Sequence, residues 1–70
     1  MIKSHFREVG GIIYEVRTDR RLLDVVDACE VVAPGGEKAS MAVPKGSDAT
    51  TWGQAELKLI HELQKKAARP

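Results

Sequence analysis

Few side chains in this 70-residue chain are of the kinds that carry covalent or metal chemistry: one cysteine, Cys29, and two histidines, His5 and His61. They stand far apart in sequence, without the short spacings that let Cys and His converge on a zinc ion. His61-Glu62 opens like the zinc-protease signature His-Glu-x-x-His, but Lys65 occupies the position of the second imidazole, so the metal would lack a ligand. Gly35-Gly36-Glu37-Lys38-Ala39-Ser40 has the glycine content of a phosphate loop. It lacks the Gly-Lys-Ser/Thr ending and the helix that must follow, and reads as an ordinary turn. Asp24, Asp27 and Glu30 could gather acidic oxygens for a divalent cation, yet such sites add loop carbonyls and a glycine turn that are missing here. No general base, nucleophile or metal triad assembles at readable spacing, so the expectation is a protein that is not an enzyme and carries no cofactor. Cys29 reads as a small buried hydrophobe. His5 is expected at a strand edge and His61 on a solvated helix face.

Two other features could serve recognition. Arg17, Arg20 and Arg21 cluster where a hairpin would end, and guanidinium forks suit carboxylates and phosphates alike. Glu56 breaks the pattern of its own segment, because it falls among Trp52, Leu59, Ile60 and Leu63 on the apolar side of a helix. A carboxylate there must find a cation, gain a proton or reach the rim of the core. One reading has it escape at the sheet edge and pair with an Arg or His. The other has Trp52 and Glu56 belong to a contact surface, an aromatic beside a charge being a common hot-spot composition. With Lys58 and Lys65 on the outer side of the same helix, the candidate partner-binding residues are Arg17, Arg20, Arg21, Glu56, Lys58 and Lys65.

The elements that must position these residues follow from periodicity. Over Thr50 to Ala67, at about 100° per residue, Trp52, Ala55, Leu59, Ile60, Leu63 and Ala67 share one broad face with Leu57 on its shoulder. Gln54, Lys58, His61, Glu62 and Lys65 fall opposite. Thr51 with Gln54 suggests a capping box, and Lys65 and Lys66 suit the carbonyl end of the helix dipole. Residues 4–18 read as a β-hairpin about Gly10-Gly11, rich in β-branched and aromatic types. A two-residue turn pairs Val9 with Ile12 and His5 with Val16, whereas a three-residue loop pairs Phe6 with Val16 and Arg7 with Glu15, the chemically better match, and the sequence leaves the register open. Of the two faces of the second strand, the one holding Ile12, Tyr14 and Val16 is the better core candidate. Residues 19–28 read as a short helix capped by Thr18 or Asp19, with Leu22, Val25, Val26 and Cys29 along one side. The four valines nearby support an extended alternative. Cys29–Ala33 and Lys38–Val43 form a second hairpin about Pro34-Gly35-Gly36, and Pro44 ends it. The expected fold is a single small α+β domain over 1–70. It has a small antiparallel sheet of three to four strands, in two hairpins of ββ(α)ββα order, packed on one long C-terminal amphipathic helix.

Composition narrows the function classes. The formal charge is +1, but it divides into +2 over residues 1–21, −4 over 22–37 and +3 over 38–70, as counted from the chain. A generally basic nucleic-acid footprint is therefore lacking. A lone cysteine forms no internal disulfide and suits a reducing compartment. No signal-peptide pattern and no apolar run of about 20 residues is present, so a cytoplasmic protein is expected. A domain of this size buries only about 60% of its unfolded surface and gains from oligomerisation. The leading expectation is a small non-enzymatic protein-binding module, such as an adaptor, regulator or inhibitor; by size alone it would suit a phage or mobile-element genome. Edge-strand addition would also allow a homodimer. The alternative is a nucleic-acid-binding accessory protein that uses Arg17, Arg20 and Arg21 with Lys58, Lys65 and Lys66.

Overall fold

A computed structural model describes residues 2–20 and 26–67. Among the described residues four strands, β1 (Ile2–Val9), β2 (Ile12–Asp19), β3 (Val26–Val32) and β4 (Lys38–Pro44), precede one helix, α1 (Ala49–Ala67). The strands form one antiparallel meander in the order β1-β2-β3-β4, and α1 covers one of its faces. This is the α+β architecture that the two hairpins and the long amphipathic run imply.

The first hairpin closes with the two-residue turn and not with the three-residue loop that the Phe6–Val16 and Arg7–Glu15 pairs favoured, so that Val9 pairs with Ile12 and Ile2 lies opposite Asp19. Gly10 and Gly11 have φ of 63° and 80°, the left-handed pair that a type I′ turn demands and that matches the twist of the flanking strands. Residue period two then assigns the faces. Tyr14 and Val16 of β2, Cys29 and Val31 of β3, and Val43 of β4 point under the helix and are buried. They meet Trp52, Ala55, Leu59, Ile60 and Leu63, the stripe expected of α1. Each large aliphatic side chain so buried contributes roughly 1.5–3 kcal/mol. Ile12 shares the inner face but stays 40% exposed, because β3 pairs with β2 only from Glu15 onward and the hairpin tip overhangs it. Ala67, at the end of α1, is also exposed.

The helix expected over 19–28 is not found where the chain is described. Asp19 closes β2 and residues 26–28 open β3; residues 21–25, with Leu22 and Val25 of the expected helical stripe, lie outside the described set. The acidic residues that argued for a helix are accommodated by partners distant in sequence. Three residues apart in one strand, Asp27 and Glu30 turn to opposite faces. Asp27, buried under α1, receives Lys45 Nζ at 2.8 Å, and Glu30, on the other side, receives Arg17. Those pairings, with a ladder to both β2 and β4, outweigh the local helical pattern.

The helix start also differs from expectation. Asp48, not a Thr51–Gln54 box, caps α1: its carboxylate accepts bonds from the Thr51 backbone N–H and hydroxyl, both at 2.9 Å. The Asp48 carbonyl takes the first helical bond, from Trp52. Because α1 begins at Ala49, Thr51 is already the third helical residue and cannot serve as the cap.

Candidate functional site

The sheet has one covered face and one open face, and the sequence-predicted residues divide between them. On the open face β1 contributes Ile2, Ser4, Phe6 and Glu8, and β2 contributes Ile13, Glu15, Arg17 and Asp19. Val26, Ala28, Glu30 and Val32 of β3, with Lys38, Ser40, Ala42 and Pro44 of β4, complete it. Several of its apolar side chains meet solvent, with Phe6 73% exposed and Ile13 57% exposed. Phe6 and Ile13 flank an open groove of about 680 Å³ at the turn end of the sheet, floored by Val32, Ala33 and Pro34 and bordered by Glu15.

Arg17 stands mid-sheet beside this groove. Its Nη1 donates to Glu30 and its Nη2 to Glu15, each at 3.1 Å. The Glu15 carboxylate, and after it Glu30, holds the guanidinium pKa above its already high ordinary value. Arg17 therefore sits between two carboxylates, and much of its charge is answered within its own chain. Arg20 follows β2 and is exposed; Arg21 lies outside the described residues. Lys58 and Lys65 are exposed on the outer side of α1, across the full thickness of the domain from Arg17. The fold thus separates the arginine corner from the helix lysines.

Glu56 lies on the covered side, 7% exposed. Its Oε1 accepts a bond from Arg7 Nη1 at 3.0 Å and stands 3.3 Å from His5 Nε2. Both partners come from β1, the strand at the sheet edge, so the carboxylate reaches the rim of the core and meets an Arg and a His there. Trp52 is likewise turned inward, 8% exposed. Cys29 is fully buried, and loss of water, followed by the nearby Glu56 charge, pushes its thiol up to about 11. A thiol so protonated and covered is a poor nucleophile. His61 is exposed on α1. Asp27 and Glu30 face opposite ways and cannot share an ion. No group of three or more potential metal ligands converges among the described residues.

The Phe6–Ile13 groove was missed by pattern reading because it depends on register. Only the two-residue turn sets Phe6 across from Glu15, on the same face as Ile13. The signal available was the odd apolar residue on the less apolar side of each strand. No helix among the described residues is long and apolar enough to cross a membrane. No family model, curated protein or solved structure matches this chain.

Proposed function

We propose that the chain is a small non-enzymatic protein-binding module, an adaptor, regulator or inhibitor, that works through the open face of its sheet. The observation that carries this reading is the exposed Phe6–Ile13 groove. An apolar trough on a small domain is the composition of a protein contact, with aromatic anchors at its centre and charge at its rim. The carboxylate of Glu15 borders it, so the partner it fits offers an apolar side chain flanked by a basic one. Arg17, held by Glu15 and Glu30, supplies a fixed polar landmark that gives register more than affinity.

The nucleic-acid alternative has less support. Phosphate tracking needs cations along one surface, whereas Arg17 and the lysines at 58 and 65 lie on opposite sides of the sheet. The open face also lacks a row of aromatics for base stacking, Phe6 being its one described aromatic.

The test is site-dependent capture. A tagged chain is used to retrieve partners from its native cell, beside Ile13→Lys, Phe6→Ser and Arg20→Glu variants. Loss of one protein in the first two lanes, with retention in the third and across a salt series, supports the open-face reading. Retention in all lanes overturns it. Loss only with Arg20→Glu, together with steep salt dependence, transfers the site to the arginine corner.

A further inference from the structure

We infer that the chain associates with a second copy of itself through the outer edge of β4, giving a continuous eight-stranded sheet. This rests on a different surface from the open-face groove and stands or falls separately from it. The two terminal strands of the sheet differ in how they are guarded. β1 interleaves Lys3, His5, Arg7 and Glu8, the charges by which edge strands discourage pairing. β4 reads Lys38-Ala39-Ser40-Met41-Ala42-Val43-Pro44, with no charge between its ends.

The hairpin geometry shows which backbone groups β4 offers. The Ala33 N–H bonds to the Glu37 carbonyl at 2.8 Å, and antiparallel ladders alternate bonded and non-bonded pairs. Continuing that alternation through the register of β3 and β4, Ala39, Met41 and Val43 direct their backbone groups to β3. Lys38, Ser40, Ala42 and Pro44 direct theirs outward. Pro44, which has no N–H to lose, sits at an outward position, as a strand edge requires. No other strand lies against that edge among the described residues.

A two-fold axis perpendicular to the sheet at Met41 makes the edge self-complementary. Ser40 exchanges both backbone bonds with Ala42 of the second copy, while the Pro44 carbonyl, already taken by the Ser47 N–H and hydroxyl, closes the ladder at that end. On the covered side, Ala39 stands across from Val43, and the two methionines meet on the axis. These residues are small or flexible, so the strands can close to their ordinary separation of about 4.8 Å. The helices agree with this placement. α1 lies nearest β3 and β4; an axis midway between those strands would place the two helices about 10 Å apart, the distance at which helices pack. Glu56 and Gln64 of α1 reach back to β1, so the opposite flank, carrying Thr51, Lys58 and Glu62, faces the second copy. The dimer covers half-exposed Met41 and Ala39 and sets one partner groove at each far end.

Sedimentation equilibrium on the full chain, diluted from millimolar to micromolar, is expected to give twice the 7.7 kDa chain mass at the upper end. Ala42→Pro removes an outward N–H and leaves the ladder to β3 intact. It should raise the dissociation constant by about tenfold or more, with an unchanged circular dichroism spectrum. A folding-independent check uses cysteine pairs under mild oxidation. Met41→Cys should give a reducible covalent dimer, whereas Phe6→Cys, on the rival edge, and the native chain with buried Cys29 should not. A monomer at every concentration overturns the inference, as does cross-linking through Phe6→Cys in place of Met41→Cys.

Discussion

The two faces of the sheet handle charge and grease in opposite ways. Under α1, apolar side chains are dry, and each carboxylate that enters, Glu56 and Asp27, is met by a cation reaching in from the rim at 3.0 and 2.8 Å. On the open face Phe6 and Ile13 stand in water, while the ion pairs of Arg17 to Glu15 and Glu30 are half-exposed and contribute little to stability. The lesson is one of consequence: a substitution on the covered face is read out as stability, and one on the open face as binding.

The largest effect should come from the covered face. Leu59→Ala, at a side chain 2% exposed, is expected to cost about 2–5 kcal/mol, measured by urea titration. In a domain of this size that approaches the whole margin. A stable variant at this position would mean that α1 is not the lid of the core.

Cys29 gives the next effect. Its thiol ionises near 9.0 in the unfolded chain and near 11 in the folded one. The unfolded state therefore loses its proton first, and stability falls as pH rises between those values, by roughly 2–3 kcal/mol in all. Below pH 9 the contribution is complete. Comparison of the native chain with Cys29→Ala by thermal melts from pH 8 to pH 11 isolates it, and parallel curves would contradict the burial of the thiol.

At Glu56 the comparison can be sharpened by chemistry at constant volume. Glu56→Ala should cost about 1–3 kcal/mol, since a charge-assisted bond is lost and space is left. Glu56→Met should cost less than about 1 kcal/mol, because Arg7 and His5 can turn to water and a buried pair gains little over an apolar isostere. If Met proves as damaging as Ala, the ion pair itself, more than its volume, holds β1 to the helix.

The smallest stability effects belong to the surface. Ile13→Ser should shift stability by no more than about 0.5 kcal/mol while abolishing partner capture, a dissociation of the two readouts that the covered face cannot show. At the helix start, the Thr51 N–H and hydroxyl hold the Asp48 carboxylate below its ordinary 3.8. Its capping contribution is present above that pH and is lost as pH falls through the lower folded value. A melt series below pH 4 should therefore flatten in Asp48→Ala relative to the parent chain.

Much of this fold was legible from local pattern. Trp52, Leu59, Ile60 and Leu63 recur at helical spacing, and Gly10-Gly11 permits the turn that few other residue pairs can make. Cys29 was readable as core, since a lone small thiol among valines has nowhere better to go. The placement of Glu56 at the rim beside an Arg or a His was one of the two readings that the cost of a dry carboxylate allowed, and the structure supplies both partners.

By itself, then, the sequence determined the elements whose stabilising interactions lie within a few residues: the helix stripe, the place of the first turn at Gly10-Gly11 and the second hairpin. Tertiary structure alone decided that 26–28 extend, because Asp27 and Glu30 are satisfied by Lys45 and Arg17, 18 and 13 residues away. It also decided the hairpin register, and with it whether Phe6 is core or surface. A one-residue slip exchanges every β1 side chain between the faces; Tyr14 and Val16 are covered in either register, and it is Arg7 and His5 meeting Glu56, with Val9 packed against the core, that settles β1.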